Sequence, residues 1–179
     1  MARGLILAAR HPRPRLAGRI CYGRTDVPLA EPPDHGAAAI IEAAGDPIER
    51  IIASPSSRAW LVAQAVAART GAPLHADDRL QEMDFGAWEG MAWSAVPRPE
   101  LDAWAADTLH YRPGGGESVD AVLRRVRRAW TGIASSADTT LLVTHAGPIR
   151  CLLHIAQGVP IMDAVARSIP FGAVLRLEG

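Results

Sequence analysis

Short apolar runs that alternate with helical patterns are the feature that most constrains the fold of this chain. The strand-like runs lie at about residues 4–9, 50–53, 139–144 and 173–177, each bounded by turn-forming or polar residues. Helical spacing or helix-start signals fall between them at residues 36–44, 57–69, 118–134 and 147–156. This alternation predicts an α/β fold, a three-layer α/β/α sandwich with a mainly parallel central sheet.

One irregular segment interrupts the alternation. Residues 84–116 are rich in Trp, Pro and Gly, and we expect them to form an inserted helical flap. No repeat or linker divides the 179 residues, a length that suits one hydrophobic core. We therefore expect a single domain over residues 1–179.

Composition excludes several functions. All 19 basic residues are arginine and they balance 19 acidic residues, so net charge gives no general attraction to nucleic acid or membrane. The absence of lysine excludes Schiff-base catalysis and a lysine-dependent nucleotide P-loop. Cys21 and Cys151 lack zinc-site spacing, and no stretch is long enough to span a bilayer. We expect a cytoplasmic protein with no metal, no cofactor, and neither nucleic acid nor membrane as a partner.

Cationic or imidazole side chains follow three of the predicted strands. Arg10 and His11 end the first run, Arg58 opens the helix after the second, and His145 follows the third. The carboxyl ends of parallel strands form the edge of a sheet where ligands bind. Taken alone, each histidine is more often structural and Arg58 is more often solvated. Together they predict a phosphate pocket, because guanidinium forks and helix N-terminal amides bind phosphate oxygens.

Two further arginine clusters have competing interpretations. Five arginines and no acid lie between Arg10 and Arg24, a pattern found in nucleic-acid-binding arms. The prolines and glycines among them favour a structured loop around a small anion. The four arginines within residues 124–128 flank Val126 on a predicted helix, which favours a solvated face over a nucleic-acid site.

Four motifs in order resemble the histidine phosphatase superfamily, which has the phosphoglycerate-mutase-like fold. They are Arg10-His11, Ser-Pro-x-x-Arg at 54–58, Leu-x-Glu-x-x-Phe-Gly-x-Trp-Glu-Gly at 80–90, and Thr-His-Ala-Gly at 144–147. The resemblance implies that His11 is a nucleophile that becomes phosphohistidine and that Glu82 is the general acid. It also implies that Arg10, Arg58 and His145 bind the phosphate. Guanidinium groups would then supply the positive charge of the transition state, without a metal.

The loop after His11 departs from the family pattern. Pro12, Pro14 and Ala17 stand where Gly, Thr and Asn are usual, so phosphate contacts credited to two of those side chains are missing. Arg13 or Arg24 is our hypothetical replacement.

Two segments resemble the α-ribazole phosphatase branch. Cys-Tyr-Gly-x-x-Asp-x-x-Leu at 21–29 includes Tyr22, Gly23 and Arg24, and Gly-Gly-Glu-Ser lies at 115–118, where it also predicts a cap for the following helix. The resemblance implies hydrolysis of α-ribazole 5′-phosphate in cobalamin biosynthesis, with inorganic phosphate as product. Tyr22 and the flap tryptophans 88, 93 and 104 are candidates to stack on the base, although we expect core packing for at least two of those three tryptophans.

Several alternatives stay open. The chain could be a broad-specificity small-molecule phosphatase, a protein phosphohistidine phosphatase, or a phosphate-binding regulatory module. A binding module needs no acid, so Glu82 favours an enzyme. A homodimer is also open.

Overall fold

A five-stranded sheet lies at the centre of the computed structural model, which describes residues 4–177. The strands are β1 (Ile6–Arg10), β2 (Arg50–Ala53), β3 (Leu74–Ala76), β4 (Thr140–Thr144) and β5 (Val174–Leu177), in the order β3-β2-β4-β1-β5. All neighbouring pairs are parallel except β1 with β5, which is antiparallel. The predicted mainly parallel sheet is therefore confirmed.

Helices cover both faces of the sheet. They are α1 (Pro33–Ala44), α2 (Ser57–Thr70), α3 (Arg98–Ala106), α4 (Val119–Ile133), α5 (Ala146–Gln157) and α6 (Ile161–Ala166). Successive strand side chains point to opposite faces, so Leu7 packs with α1 and α2 while Ala8 packs with α4 and α5. These two apolar clusters make the three predicted layers. No helix within residues 4–177 is long and apolar enough to cross a membrane.

Short elements are where the sequence pattern was insufficient. Strand β3 has three residues at the sheet edge, none of them fully buried, so it has no apolar run from which it could be predicted. Helix α1 begins at Pro33, three residues earlier than predicted, because proline with its fixed φ suits the first helical position. The six residues of α6 are too few for a periodic signal.

The flap at residues 84–116 has its own apolar cluster. It contains α3 and three short 3₁₀ turns (Gly86–Trp88, Trp93–Ala95 and Pro113–Gly115), consistent with the expected helical character. Trp88 is buried against Cys21 and Val96, and its indole N–H donates to Glu100 Oε2 at 2.6 Å. The cluster thus joins the flap to the segment that follows the His11 loop.

Candidate active site

His11 lies buried at the carboxyl end of β1. Its backbone N–H donates to the Thr144 carbonyl at 3.0 Å, which places the ends of β1 and β4 side by side. The Nδ1 atom lies 2.6 Å from the Pro12 carbonyl oxygen. Since a carbonyl oxygen only accepts, Nδ1 carries the hydrogen and Nε2 keeps its lone pair. Burial lowers the pKa of His11 to about 3, so the imidazole is neutral at physiological pH.

Arg10 is fixed from two directions. Its Nη1 donates to the Ile169 carbonyl at 2.5 Å, and its guanidinium carbon lies 3.7 Å from the centroid of the Phe171 ring. Phe171 also lies beside His11, with ring centroids 5.7 Å apart. Phe171 follows α6 and belongs to none of the sequence motifs, so its position at the site was not predicted.

Arg58 is completely buried at the start of α2. Its Nη1 donates to the Thr25 carbonyl at 3.0 Å and its Nη2 to the Gly23 carbonyl at 2.5 Å. Gly23 must be glycine, since a Cβ there would lie 1.9 Å from the Met83 carbonyl oxygen. The segment after Cys21 therefore orients Arg58. The carboxylate of Glu89 in turn fixes that segment, accepting the backbone N–H groups of Arg24 at 2.9 Å and Thr25 at 2.6 Å.

His145 occupies the N-cap position of α5, without a capping hydrogen bond from its side chain, and faces His11. The two ring centroids are 5.0 Å apart. His145 Nε2 lies 2.8 Å from Ser54 Oγ, and burial lowers the pKa of this imidazole well below its ordinary value. A neutral His145 can donate through Nδ1 only if Ser54 donates its hydroxyl hydrogen to Nε2. Ser54 is thus a site residue to which the sequence assigned no role.

Three buried nitrogens around His11 find no hydrogen-bond partner among residues 4–177. They are Arg10 Nε, Arg58 Nε and, carrying a hydrogen when Ser54 donates to Nε2, His145 Nδ1. A fourth such nitrogen, Trp104 Nε1, lies in the flap. Buried polar groups in native proteins almost always have a partner. Two guanidinium groups and one imidazole, each with an unused donor beside His11, match the oxygens of a phosphoryl group.

Glu82 lies against the N-terminus of α5. Its Oε1 accepts the backbone N–H groups of Met83 at 2.9 Å and Gly147 at 3.1 Å. The neighbouring residue of α5 has to be glycine for this contact, because a Cβ on Gly147 would lie 2.2 Å from Glu82 Oε1.

Two adjoining cavities meet at Glu82, and neither is lined by Arg58 or His145. The first, of about 310 Å³, is lined by Arg10, His11, Glu82 and the aromatic rings of Tyr22, Phe85, Trp93, Trp104 and Phe171. The second, of about 110 Å³, is mostly apolar, and it shares Glu82, Phe85, Trp104 and Arg150 with the first. Of the three flap tryptophans, Trp88 packs wholly in the flap cluster, whereas Trp93 and Trp104 contact that cluster and also line the first cavity.

The predicted substrate residues divide into two groups. Tyr22 lines the first cavity, with its ring 5.2 Å from the guanidinium carbon of Arg58. Arg13 is exposed and lines neither cavity, but its guanidinium carbon lies 5.8 Å from the centroid of Phe171, which does line the first cavity. Arg24 also lines neither cavity, and its guanidinium pairs with Glu117 at 3.3 Å. Among the described residues, Arg13 is therefore better placed than Arg24 to reach a bound anion.

Comparisons with known proteins establish the family of this chain. A family model described as "Histidine phosphatase superfamily (branch 1)" matches residues 6–179, and the chain belongs to that superfamily. The chain is 41% identical over 126 residues to the bifunctional protein Rv2228c of Mycobacterium tuberculosis, covering 68% of this chain and 34% of that protein. The chain thus spans about a third of the length of this relative.

Two further relatives carry phosphatase names. Identity is 33% over 160 residues to glucosyl-3-phosphoglycerate phosphatase of Mycolicibacterium vanbaalenii, covering 81% of this chain and 70% of that protein. It is 30% over 112 residues to adenosylcobalamin/alpha-ribazole phosphatase of Salmonella typhimurium, covering 60% and 55%. A solved complex of mycobacterial glucosyl-3-phosphoglycerate phosphatase Rv2419c with inorganic phosphate superposes with a TM-score of 0.84 at 25% identity, covering 99% of this chain and 90% of that one.

Proposed function

We propose that this chain is a metal-independent phosphomonoesterase that acts through a phosphohistidine on His11. The carrying observation is a neutral imidazole with a free Nε2, grouped with three buried N–H donors that lack acceptors. Such a group suits a phosphoryl centre, because the nucleophile is uncharged and the donors meet the oxygens that carry the transition-state charge.

The reaction has two steps. In the first, Nε2 of His11 bonds to phosphorus as the ester P–O bond breaks, and the leaving oxygen takes a proton from Glu82. In the second, a water oxygen bonds to phosphorus as the N–P bond breaks, and Glu82 takes a proton from that water. Arg10, Arg58 and His145 hold the phosphoryl oxygens throughout. The donor set is complete without a metal, because the two guanidinium groups supply the positive charge.

The first substrate candidate is α-ribazole 5′-phosphate. The motif around Tyr22 and the similarity to the Salmonella protein support it. The rings of Tyr22, Trp93 and Trp104 offer flat apolar surface beside the phosphate pocket, which suits a benzimidazole base. A broad-specificity phosphatase for ring-bearing esters fits the same surface.

A second candidate is a phosphoglycerate ester such as glucosyl-3-phosphoglycerate. The observation that favours it is Arg150, which lines both cavities next to Glu82, where the leaving group would lie. Its Nε donates to the Arg167 carbonyl at 2.9 Å, which orients the guanidinium. A fixed cation there suits a carboxylate on the leaving group. The depth of His11, which is 1% exposed, favours small esters over a phosphohistidine on a folded partner.

Hydrolysis of p-nitrophenyl phosphate in the presence of a chelator tests the chemistry. We expect the wild type to be active and His11→Ala to lose activity by at least about 10³-fold. Equal rates for the two proteins would exclude the phosphohistidine mechanism.

A substrate panel separates the candidates. It consists of α-ribazole 5′-phosphate, glucosyl-3-phosphoglycerate, sugar phosphates without a carboxylate, and a phosphohistidine-bearing protein. If the second candidate is correct, Arg150→Gln raises KM for the carboxylate-bearing ester and leaves KM for α-ribazole 5′-phosphate unchanged. Activity confined to the phosphoprotein would reject both candidates.

A further inference from the structure

The sequence pattern predicted that all four arginines within residues 124–128 face solvent. For Arg125 that prediction is wrong. Arg124, Arg127 and Arg128 are exposed on α4, as expected, but Arg125 faces the protein interior and is 7% exposed. A charged side chain at this depth is costly unless all its donors are met. The contacts of Arg125 meet that requirement.

Every N–H group of the Arg125 guanidinium has an acceptor. Its Nη1 donates to the carbonyls of Arg79 and Gln81, both at 2.7 Å, and its Nη2 to the carbonyl of Glu82 at 3.0 Å. The remaining two donors, on Nε and Nη2, reach the two carboxylate oxygens of Glu117 at 3.0 Å each. The planar fork of arginine is the side chain that can make these five bonds at once.

Glu117 also binds the backbone of Asp84, two residues after Glu82. Its Oε2 accepts the backbone N–H of Asp84 at 3.1 Å, and its own N–H donates to the Asp84 carbonyl at 2.8 Å. Burial opposes ionisation, yet the hydrogen bonds and charge of Arg125 lower the pKa of the Glu117 carboxyl. The next residue, Ser118, caps α4 through Ala121 N–H at 3.2 Å, so the Gly-Gly-Glu-Ser turn does cap its helix, as predicted. Glu117 in the same turn binds Arg125 and the backbone of Asp84.

The backbone leading to Glu82 is held at every residue from 79 to 82. Arg125 binds the carbonyls of residues 79, 81 and 82, and Thr144 Oγ1 donates to the remaining carbonyl, that of Leu80, at 2.6 Å. This segment has only one short 3₁₀ turn, so side chains supply the hydrogen bonds that a helix or sheet would otherwise provide.

We propose that Arg125, oriented by Glu117, is the positioning residue that fixes Glu82 for proton transfer. The inference rests on the proposed function, in which Glu82 protonates the leaving oxygen. A displacement of about 1 Å at a catalytic group lowers a rate by up to about 100-fold. Arg125 does not touch the substrate cavities, so its effect on the reaction passes through Glu82.

The test uses the dependence of kcat/KM on the leaving group. For 2,4-dinitrophenyl phosphate the leaving phenolate needs no proton, whereas for an alkyl phosphate the leaving alkoxide does. We expect Arg125→Lys to lower kcat/KM for the alkyl ester by about 10- to 100-fold and for the dinitrophenyl ester by less than about threefold. Glu117→Gln, which keeps shape but loses one acceptor, should change the same ratio in the same direction and guards against poor folding of Arg125→Lys. Arg127→Lys, at an exposed position on the same helix, is the matched control.

Glu82→Gln separates failure of this inference from failure of the proposed function. If Glu82→Gln itself lowers kcat/KM equally for both esters, Glu82 is not the acid and the proposed function is wrong on that point. If Glu82→Gln is selective but Arg125→Lys and Glu117→Gln slow both esters equally, Arg125 has only a structural role. In the Glu82→Gln background we expect Arg125→Lys to add little further loss for the alkyl ester.

Discussion

Gly147→Ala, which adds one methyl group, should lower kcat/KM while leaving the free energy of unfolding nearly unchanged. The new Cβ would lie 2.2 Å from Glu82 Oε1, and nonbonded contacts to Cβ below 3.0 Å essentially do not occur, so the carboxylate has to move by about 1 Å. The contacted atom is the end of a flexible side chain, and the next Glu82 atom is already 3.3 Å away. The backbone of α5 can therefore stay where it is while the carboxylate leaves its place.

The free energy of unfolding should change little. Alanine within a helix is favoured over glycine by about 0.5–1 kcal/mol, which offsets the loss of the Glu82 hydrogen bond to Gly147 N–H, worth about 1 kcal/mol. The rate should change much more. Misplacing the acid by about 1 Å predicts a loss of up to about 100-fold in kcat/KM for an alkyl phosphate.

Urea unfolding and steady-state kinetics on an alkyl and a dinitrophenyl ester measure the two effects. Gly132→Ala is the matched control, since a Cβ there meets nothing within 4 Å and the residue lies in α4. It should gain stability slightly and keep wild-type kinetics. Wild-type kcat/KM for the alkyl ester in folded Gly147→Ala would refute the assignment of Glu82 to its observed position.

Three further predictions concern His11, the loop after it, and the flap. Burial lowers the pKa of His11 from 6.5 in the unfolded chain to about 3 in the folded protein. Between these two pH values only the unfolded chain binds a proton at His11, so the free energy of unfolding falls as the pH drops below 6.5. Between pH 7.5 and 5, the free energy of unfolding of His11→Asn should therefore fall by about 2 kcal/mol less than that of the wild type, as measured by urea unfolding. Identical pH slopes for the two proteins would contradict the burial of a neutral His11. Arg13→Ala should raise KM by about 10-fold, more than Arg24→Ala does, because Arg24 is paired with Glu117; the reverse order in initial-rate kinetics would place Arg24 on the substrate. Trp88→Phe removes the indole N–H that donates to Glu100 and should lower the free energy of unfolding by about 1 kcal/mol in thermal unfolding, with kcat/KM unchanged. A kinetic defect without destabilisation would show that the flap cluster affects the active site.

Much of the site was predictable because its residues follow strands. The apolar runs located β1, β2 and β4, and parallel strands bring their carboxyl ends to one edge. The placement of Arg10, His11 and His145 together therefore followed from the alternation of strands and helices. The short edge strand β3 and helix α6 were not predictable, because three and six residues carry too little periodicity.

Contacts between distant segments could not be derived from local patterns. Arg125 stands among three exposed arginines, and only the packing of α4 against residues 79–82 buries it. Phe171 likewise carried no motif, and it reaches Arg10 because β5 returns antiparallel beside β1.

The sequence by itself determined the layered α/β class and the chemical types gathered at the sheet edge, since side-chain periodicity and strand-end positions are local properties. The tertiary structure alone decided the tautomer of His11, the partner of Ser54 and the support under Glu82. Each of these depends on a hydrogen bond or on desolvation by neighbours, most of them far along the chain, and burial gives those contacts their effect on charge and position.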